Sequence, residues 1–416
     1  MAGWNGSGTF VRAYNWVADK LASIKINASR MDGEFDNYKS GLENCLTRDG
    51  QTPPTGDINW NSKKITSLAN GTASTDAINL SQLAGVTTGN TFRKNLLING
   101  GFDVWQSGAG GSASIAGTAA RIRTADCWWA IRQGTTGYTV SQQTGEVNRY
   151  ALKWQRDNGN ASTQNMIIAQ SIETANVVRL KRGTPPTCYL SFYAKKGANY
   201  SGGNLTVEVV RGTGTDENVL DTYTGATVLA TVTVSTLTTS QQRFSGSVPI
   251  DSSTNELGVR FTWTPTGAAG ADDSITLENV QLEVANAPTD FEYLPFDDVL
   301  RRCRRYFQKS FPYSSAPQQN FSGPGSWYMG AFKAGAAASP AYVLPLPVTM
   351  RSPGTPVSYN PAAASSQVRD LTAAANTTGT SISCDNDRLQ ISFTGAAGTA
   401  VGNTMWVDWS IGDNNF

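Results

Sequence analysis

Val17, Leu21, Ile24, Ala28, Met31, Phe35, Tyr38, Leu42 and Cys45 fall alternately four and three residues apart and draw one apolar stripe down the start of the chain. A 3.5-residue repeat winds helices about each other, because each apolar side chain must seat in a hole on a facing helix. The segment is too short and polar to build its own core, so the pattern predicts an assembly module and a chain that works in multiples. One helix or two both fit. Gly33 and Gly41 lie off the seam, each costing about 1 kcal/mol relative to Ala inside a helix. Ile24, Ile26 and Asn27 could end a first helix, with Asn27 or Ser29 capping a second from about Met31 to Leu46. In a parallel coil Glu34 would meet Lys39 favourably, whereas Lys20 would meet Lys25 unfavourably. An amphipathic hairpin packed on its own chain is the alternative.

From Asp49 the pattern changes. Thr52-Pro53-Pro54-Thr55-Gly56 reads as a turn or spacer, and Ile58 and Trp60 alternate as in a strand. Ile65 and Leu68 lead into Thr75-Asp76, a cap for a brief helix carrying Ala77, Ile78, Leu80 and Leu83. From about Phe92 to Phe296 the period is two. Cys188, Leu190, Phe192 and Ala194 alternate with polar or half-polar neighbours, as do Leu205, Val207 and Val209, then Val228 to Val234, then Leu257 to Trp263. Ile275 and Leu277 mark one face, which Val280, Leu282 and Val284 continue a residue late, so a β-bulge is predicted at Glu278-Asn279. Strands of this length between Gly, Asn, Asp and Thr turns fit a two-sheet antiparallel sandwich.

Val299, Leu300, Cys303, Tyr306 and Phe307 then share one helical face behind Asp297 and Asp298. Arg301, Arg302, Arg304 and Arg305 on that helix fit either an anion or polysaccharide site or a solvated face pairing with sheet carboxylates. A Ser, Pro, Gln and Gly-rich stretch from Ser314 to Ser326 suits a long loop. After it, strand-like pieces lie at Trp327–Phe332, Ala341–Leu346, Leu389–Phe393 and Met405–Ile411, while Pro361 to Thr380 reads as surface loop. The expectation is a mainly β chain: a short α-helical module at 1–48, a short shaft or linker at 49–91, a β-sandwich at 92–311 and a smaller β domain at 312–416.

Composition removes whole classes of function. With 33 Lys and Arg against 32 Asp and Glu the chain lacks the positive field of a duplex-binding surface, and no nucleic-acid partner is expected. Histidine is absent, which removes Ser-His-Asp and Cys-His nucleophiles, His bases and His-bearing zinc sites. Five widely spaced cysteines without a CxxC pair read as reduced, buried thiols. MAGWNGSGTF shows no basic-then-apolar leader and no apolar run reaches the roughly 18 to 20 residues of a membrane span, so folding in a cytosol without membrane insertion is expected. Asp251 to Asn255 and Asp385 to Asp387 lack the ligand spacing of a Ca²⁺ loop and read as turns; no metal or cofactor is expected. Glycoside cleavage needs two carboxylates about 5 to 9.5 Å apart. The adjacent pairs Asp272-Asp273 and Asp297-Asp298 do not present that arrangement, nor does a solenoid period appear, so the chain reads as a non-enzyme.

Three stretches resemble known parts. AYNWVADKLASIKINASRMDGEFDNYKSGLENCLTRDGQT is similar to the N-terminal module of tail fibre proteins of tailed bacteriophages. KKITSLANGTASTDAINLSQL resembles the repeated element of phage fibre shafts. RKNLLINGGFDVWQSG, with ADCWW, LSFYAKKG and VQLEVANAPTDFEYLPFDDVLRRCRRYFQ, resembles the jelly-roll domain of phage tail fibres and related prophage proteins. The resemblance covers about residues 10 to 310. It implies a homotrimeric virion tail component with its N-terminus on tail or baseplate proteins and its β domains facing a host polysaccharide or envelope protein. It carries no catalytic residue. Val17, Leu21, Ile24, Met31, Phe35, Tyr38 and Leu42 then become the attachment and self-association residues.

Sugar recognition commonly uses flat aromatic faces. Trp128, Trp154 and Trp263 lie in alternating segments and read as sandwich interior, with Trp105 plugging one end. Trp327 and Tyr328 follow a Gly-rich loop, and Trp406 and Trp409, three apart, fall on opposite faces of a strand, so one of them is expected to face outward. These four are the candidate receptor residues. The alternatives to an adhesin are a structural adaptor carrying another fibre chain and a polysaccharide depolymerase.

Overall fold

A computed structural model describes residues 3–4, 9–43, 57, 60, 62–73, 75–79, 94–107, 112–115, 121–132, 135–181, 185–321, 323, 325–331, 341–413 and 415–416. Cys45, the Thr52–Gly56 turn, Ile58, Leu80, Leu83 and Phe332 lie outside them. The chain divides into two compact units, Met1–Asn79 and Leu80–Phe416.

In the first unit β1 (Gly3–Trp4) pairs antiparallel with β2 (Phe10–Val11), and two helices follow, α1 (Trp16–Leu21) and α2 (Ala28–Glu43). The stripe is therefore broken once, where the Asn27 side chain accepts the Arg30 N–H at 3.0 Å and starts α2. Asn15 caps α1 in the same way, accepting from Val17 and Ala18. The face of α2 that carries Glu34 and Gly41 is buried. Glu34 accepts the Tyr14 N–H at 3.0 Å and pairs with Arg12 at 3.2 Å, so it is spent within the chain and is not the interhelical partner of Lys39 expected of a parallel coil. Phe10 stacks on Tyr38 with ring centres 5.6 Å apart. The two glycines off the seam mark this close approach: a Cβ on Gly33 would lie 3.2 Å from Tyr14, and one on Gly41 only 2.1 Å from Phe10. Gly41→Ala should therefore lower the stability of this unit by about 1–3 kcal/mol, because the ring must leave its place, despite the better helix propensity of Ala. A thermal midpoint that stays put or rises would show that Phe10 can step aside freely.

Further along, the helix expected after Asp76 is not formed at residues 77–79. The Asp76 carboxylate turns back and accepts the N–H groups of Thr72 and Ala73 at 2.8 and 2.9 Å, closing the preceding turn instead of opening a following helix.

The second unit opens as a jelly-roll sandwich of two six-stranded antiparallel sheets. Its strands are β3 (Ser112–Ile115), β4 (Ile122–Arg123), β5 (Trp129–Arg132), β6 (Tyr138–Thr144), β7 (Tyr150–Arg156), β8 (Met166–Ile172), β9 (Thr187–Lys196), β10 (Gly202–Gly212), β11 (Thr227–Val234), β12 (Gln242–Pro249), β13 (Glu256–Pro265) and β14 (Ser274–Val284). One sheet runs β11-β10-β13-β8-β5-β4 and the other β12-β9-β14-β7-β6-β3, most successive strands changing sheet. The period-two side chains point inward: Leu190, Phe192, Ala194, Leu205, Val207, Phe261 and Trp263 are fully buried. Trp128 and Trp154 join them, and Trp154 meets Trp263 edge to face at 5.5 Å. Each such side chain contributes on the order of 2–3 kcal/mol of burial. The β14 register against β9 shifts between Glu278 and Gln281, and Asn279 takes φ +50, so the bulge lies where the phase of the sequence slips.

Helix α3 (Phe296–Arg304) closes this sandwich and leads into β15 (Phe307–Lys309). Val299, Leu300, Cys303 and Tyr306 pack on Val104, Cys127 and the C-terminal Phe416. Cys127, Cys188 and Cys303 are buried free thiols. β15 already belongs to the C-terminal sheet, pairing with β23 (Thr404–Gly412). The remaining strands are β16 (Trp327–Gly330), β17 (Tyr342–Pro345), β18 (Thr355–Tyr359), β19 (Arg369–Asp370), β20 (Ala375–Asn376), β21 (Thr378–Cys384) and β22 (Arg388–Thr394). The four strand-like segments read from the sequence are β16, β17, β22 and β23. The stretch Pro361 to Thr380, expected as surface loop, instead sends Val368 and Asp370 into full burial and forms β19 and β20. Asp370 is held there by Thr399 and Asn403 at 2.7 and 2.9 Å, satisfied polar burial that an apolar count misses.

Candidate functional site

The seven attachment candidates are all exposed within the chain: Val17 71%, Leu21 84%, Ile24 45%, Met31 38%, Phe35 60%, Tyr38 39% and Leu42 70%. On α2 the covered positions include Arg30, Glu34, Asn37 and Gly41, and the open ones are Met31, Phe35, Tyr38 and Leu42. The two rows are one residue out of phase, about 100° around the helix. One row is engaged by β1, β2 and Tyr14; the other, except for Tyr38 stacked on Phe10, presents apolar side chains to its surroundings.

The receptor candidates separate. Tyr328 is 55% exposed and Trp327 half-buried, whereas Trp406 and Trp409 are both buried. The expectation that one of the last two faces outward is corrected here. They do lie on opposite faces of β23, but that strand is paired along its length with β15, β16, β18 and β19, and both rings are buried among neighbouring side chains. Trp409 sits in the C-terminal core with Met405, Val407 and Ile411. Trp406 is the cross-strand partner of Tyr328, whose ring stacks beside it at 5.6 Å and 10°. Asp408, between them, accepts from the hydroxyls of Ser310 and Ser326 at 2.8 and 2.7 Å, and burial raises its carboxyl above the ordinary range. Trp105 is buried against the sandwich core with its indole N–H donating to the Phe102 carbonyl, and its backbone N–H donates to the hydroxyl of Tyr313 at 2.8 Å.

A third feature lies where α3, the short helix Thr174–Val177 and the C-terminal β region meet. It is a cleft of about 500 Å³ into which Arg179, Arg301, Arg302 and Arg305 converge. Its one lining carboxylate, Glu173, is 5% exposed. Arg305 grips it two-pronged at 2.6 and 3.2 Å, and the Tyr306 hydroxyl donates to it at 3.0 Å. That contact holds the Arg305 guanidinium above its usual range, and burial pushes the Tyr306 phenol up. Arg179 is braced by the backbone oxygen and side-chain oxygen of Asn176 at 3.2 and 3.0 Å. Leu96, Ile98 and Val348 supply apolar wall. The sequence showed the α3 arginines but not Glu173 or Arg179, which no local spacing connects to them.

The Asp272-Asp273 pair is engaged in structural contacts. Asp272 meets Lys153 at 2.9 Å and the Ala198 N–H at 3.0 Å, while Asp273 meets Arg156 at 2.7 Å. Asp251 and Asp385 accept backbone N–H groups two or three residues on, as turn residues do. Among the described residues no group of three or more Cys, Asp or Glu side chains is placed to hold a metal ion.

No protein-family profile matches the chain, and no curated protein sequence does. Solved structures are similar over part of the chain. A family 4 carbohydrate-binding module is 15% identical, covering 44% of this chain and 97% of its own, with a TM-score of 0.26. A xylan-binding domain of family 22 from Paenibacillus barcinonensis Xyn10C is 15% identical over 44% of this chain and 99% of its own, with a TM-score of 0.26. The enzymatically active domain of tailspike protein 4 of bacteriophage CBA120 is 10% identical over 46% of this chain and 21% of its own, with a TM-score of 0.27.

Proposed function

We propose that this chain is a tail-fibre subunit of a tailed bacteriophage, a homotrimer docked on the tail by residues 1–48 and presenting its β domains to a glycan or envelope protein of the host surface. One observation carries the reading: Val17, Leu21, Met31, Phe35 and Leu42 of the heptad-spaced row stay exposed on α1 and α2, while the row beside it, and Tyr38 through Phe10, are used within the chain. An apolar seam of this period seats best against the same seam of another copy. Its NWVAD, IKI and RMD elements, which resemble the attachment module of phage fibres, supply its address.

Two measurements test the reading. Full-length protein added to host cells should compete with phage for adsorption, whereas a bracket for another fibre chain would leave adsorption unchanged. Particles assembled with a chain lacking residues 1–46 should lack the protein. Within the adhesive surface Tyr328 is the aromatic face in reach, so Tyr328→Ala should weaken competition up to about tenfold with the fold retained. Ala at Trp406 or Trp409 should instead lower stability by about 3–5 kcal/mol, since both are core. Competition by Tyr328→Ala equal to that of the parent protein would remove this residue from the receptor surface.

A further inference from the structure

We infer that the cleft lined by Arg179, Arg301, Arg302 and Arg305 binds an anionic glycan, its carboxylate or phosphate groups meeting the guanidinium forks. This deepens the fibre reading by naming the ligand class of one site. Four guanidiniums converge on a volume of about 500 Å³, and the single carboxylate lining it is already clamped by Arg305 and Tyr306. Four guanidiniums thus face one lining carboxylate, with Asp298 meeting Arg301 just outside the lining, in a chain whose net charge is only +1. Such concentration in a concavity focuses the field on an incoming anion.

The chain itself displays the recognition chemistry. Arg305 meets Glu173 through Nε and Nη2 on the two carboxylate oxygens, the fork geometry that a uronate or phosphate on a sugar would also satisfy. Arg179 comes from the sandwich side and Arg301 from α3, and they belong to separate elements, so a ligand can be held from two directions. The Arg301 side chain is 66% exposed and its contact with Asp298 is a long 3.4 Å, which leaves its guanidinium accessible. Leu96, Ile98 and Val348 add the apolar wall against which a pyranose C–H face can rest.

The test uses full-length protein with Arg179→Gln, Arg301→Gln and the double variant, all of which leave the Arg305–Glu173 clamp in place. Thermal unfolding first establishes that they fold. Calorimetric titration then compares oligogalacturonate, a dephosphorylated and a phosphorylated lipopolysaccharide core, and neutral maltooligosaccharide. The expected result is binding of an anionic probe that weakens about tenfold in the double variant and falls as salt rises. Oligogalacturonate binding assigns the carboxylate as the source; preference for the phosphorylated core over the dephosphorylated one assigns phosphate. Equal binding of the neutral sugar, no binding of either anion, or a double variant as tight as the parent overturns the inference. The fibre reading is judged separately: if full-length protein still assembles and blocks adsorption when the cleft binds nothing, only the cleft assignment falls.

Discussion

Replacing both Phe35 and Leu42 by glutamate is expected to reduce the assembled protein to single chains, read as a fall in molar mass by light scattering with the far-UV spectrum unchanged. The two side chains are 60% and 70% exposed, so the substitutions remove little that the single chain uses to fold. Glu34, Gly41 and Phe10, which hold α2 to its own hairpin, are untouched. In an assembly the same positions would be buried against their counterparts. Each lost apolar contact would remove about 1.5–3 kcal/mol, and each buried carboxylate would add a desolvation cost of several kcal/mol in every copy. That total exceeds what a short coil can supply. A molar mass that stays at the parent value would show that the open row is not the assembly seam.

Asp273→Ala should cost about 3–5 kcal/mol of sandwich stability, a large fraction of the roughly 5–15 kcal/mol that holds a domain folded. The Arg156 and Asp273 side chains are both wholly buried. Arg156 donates to Asp273 at 2.7 Å, to the carbonyls of Gly267, Asn160 and Ser162 at 2.9, 2.7 and 2.9 Å, and to the hydroxyl of Ser201. Asp273 in turn accepts the Ser201 N–H at 2.7 Å. The pair thus ties the ends of β7 and β13 to the start of β14. Without the carboxylate a guanidinium is left in the interior without its counter-charge. Asp273→Asn, which keeps an acceptor, should lose less. The urea midpoint of each variant decides the matter, and a shift worth under about 1 kcal/mol for the alanine variant would mean that water reaches Arg156.

Period carried most of what could be read without a structure. Alternation placed β9, β10, β13 and the register slip of β14, because a strand buried on one side must repeat every two residues. The stripe of α1 and α2 was legible for the same reason at a helical period. Gly33 and Gly41 misled, since an apolar count records a glycine as a cost, whereas here the missing Cβ makes room for Tyr14 and Phe10. Asp76 misled because a carboxylate can cap a turn on either side of itself.

Trp406 and Trp409 show the limit more sharply. Their spacing on β23 was right about opposite faces and silent about what covers each one, and the Tyr328 ring and the C-terminal core cover both. The arginine cleft was half visible: Arg301, Arg302, Arg304 and Arg305 stand out in the chain, but Glu173 and Arg179 join three of them, Arg301, Arg302 and Arg305, only because a sandwich connection is folded against α3. The sequence by itself determined which faces are apolar, where the longer periodic strands and α2 run and which chemistries the residue types exclude, because these depend on neighbours along the chain. Only the tertiary structure decided which apolar face stays open, which aromatics are covered and which charges meet, because those depend on elements from 20 to 132 residues apart meeting in space.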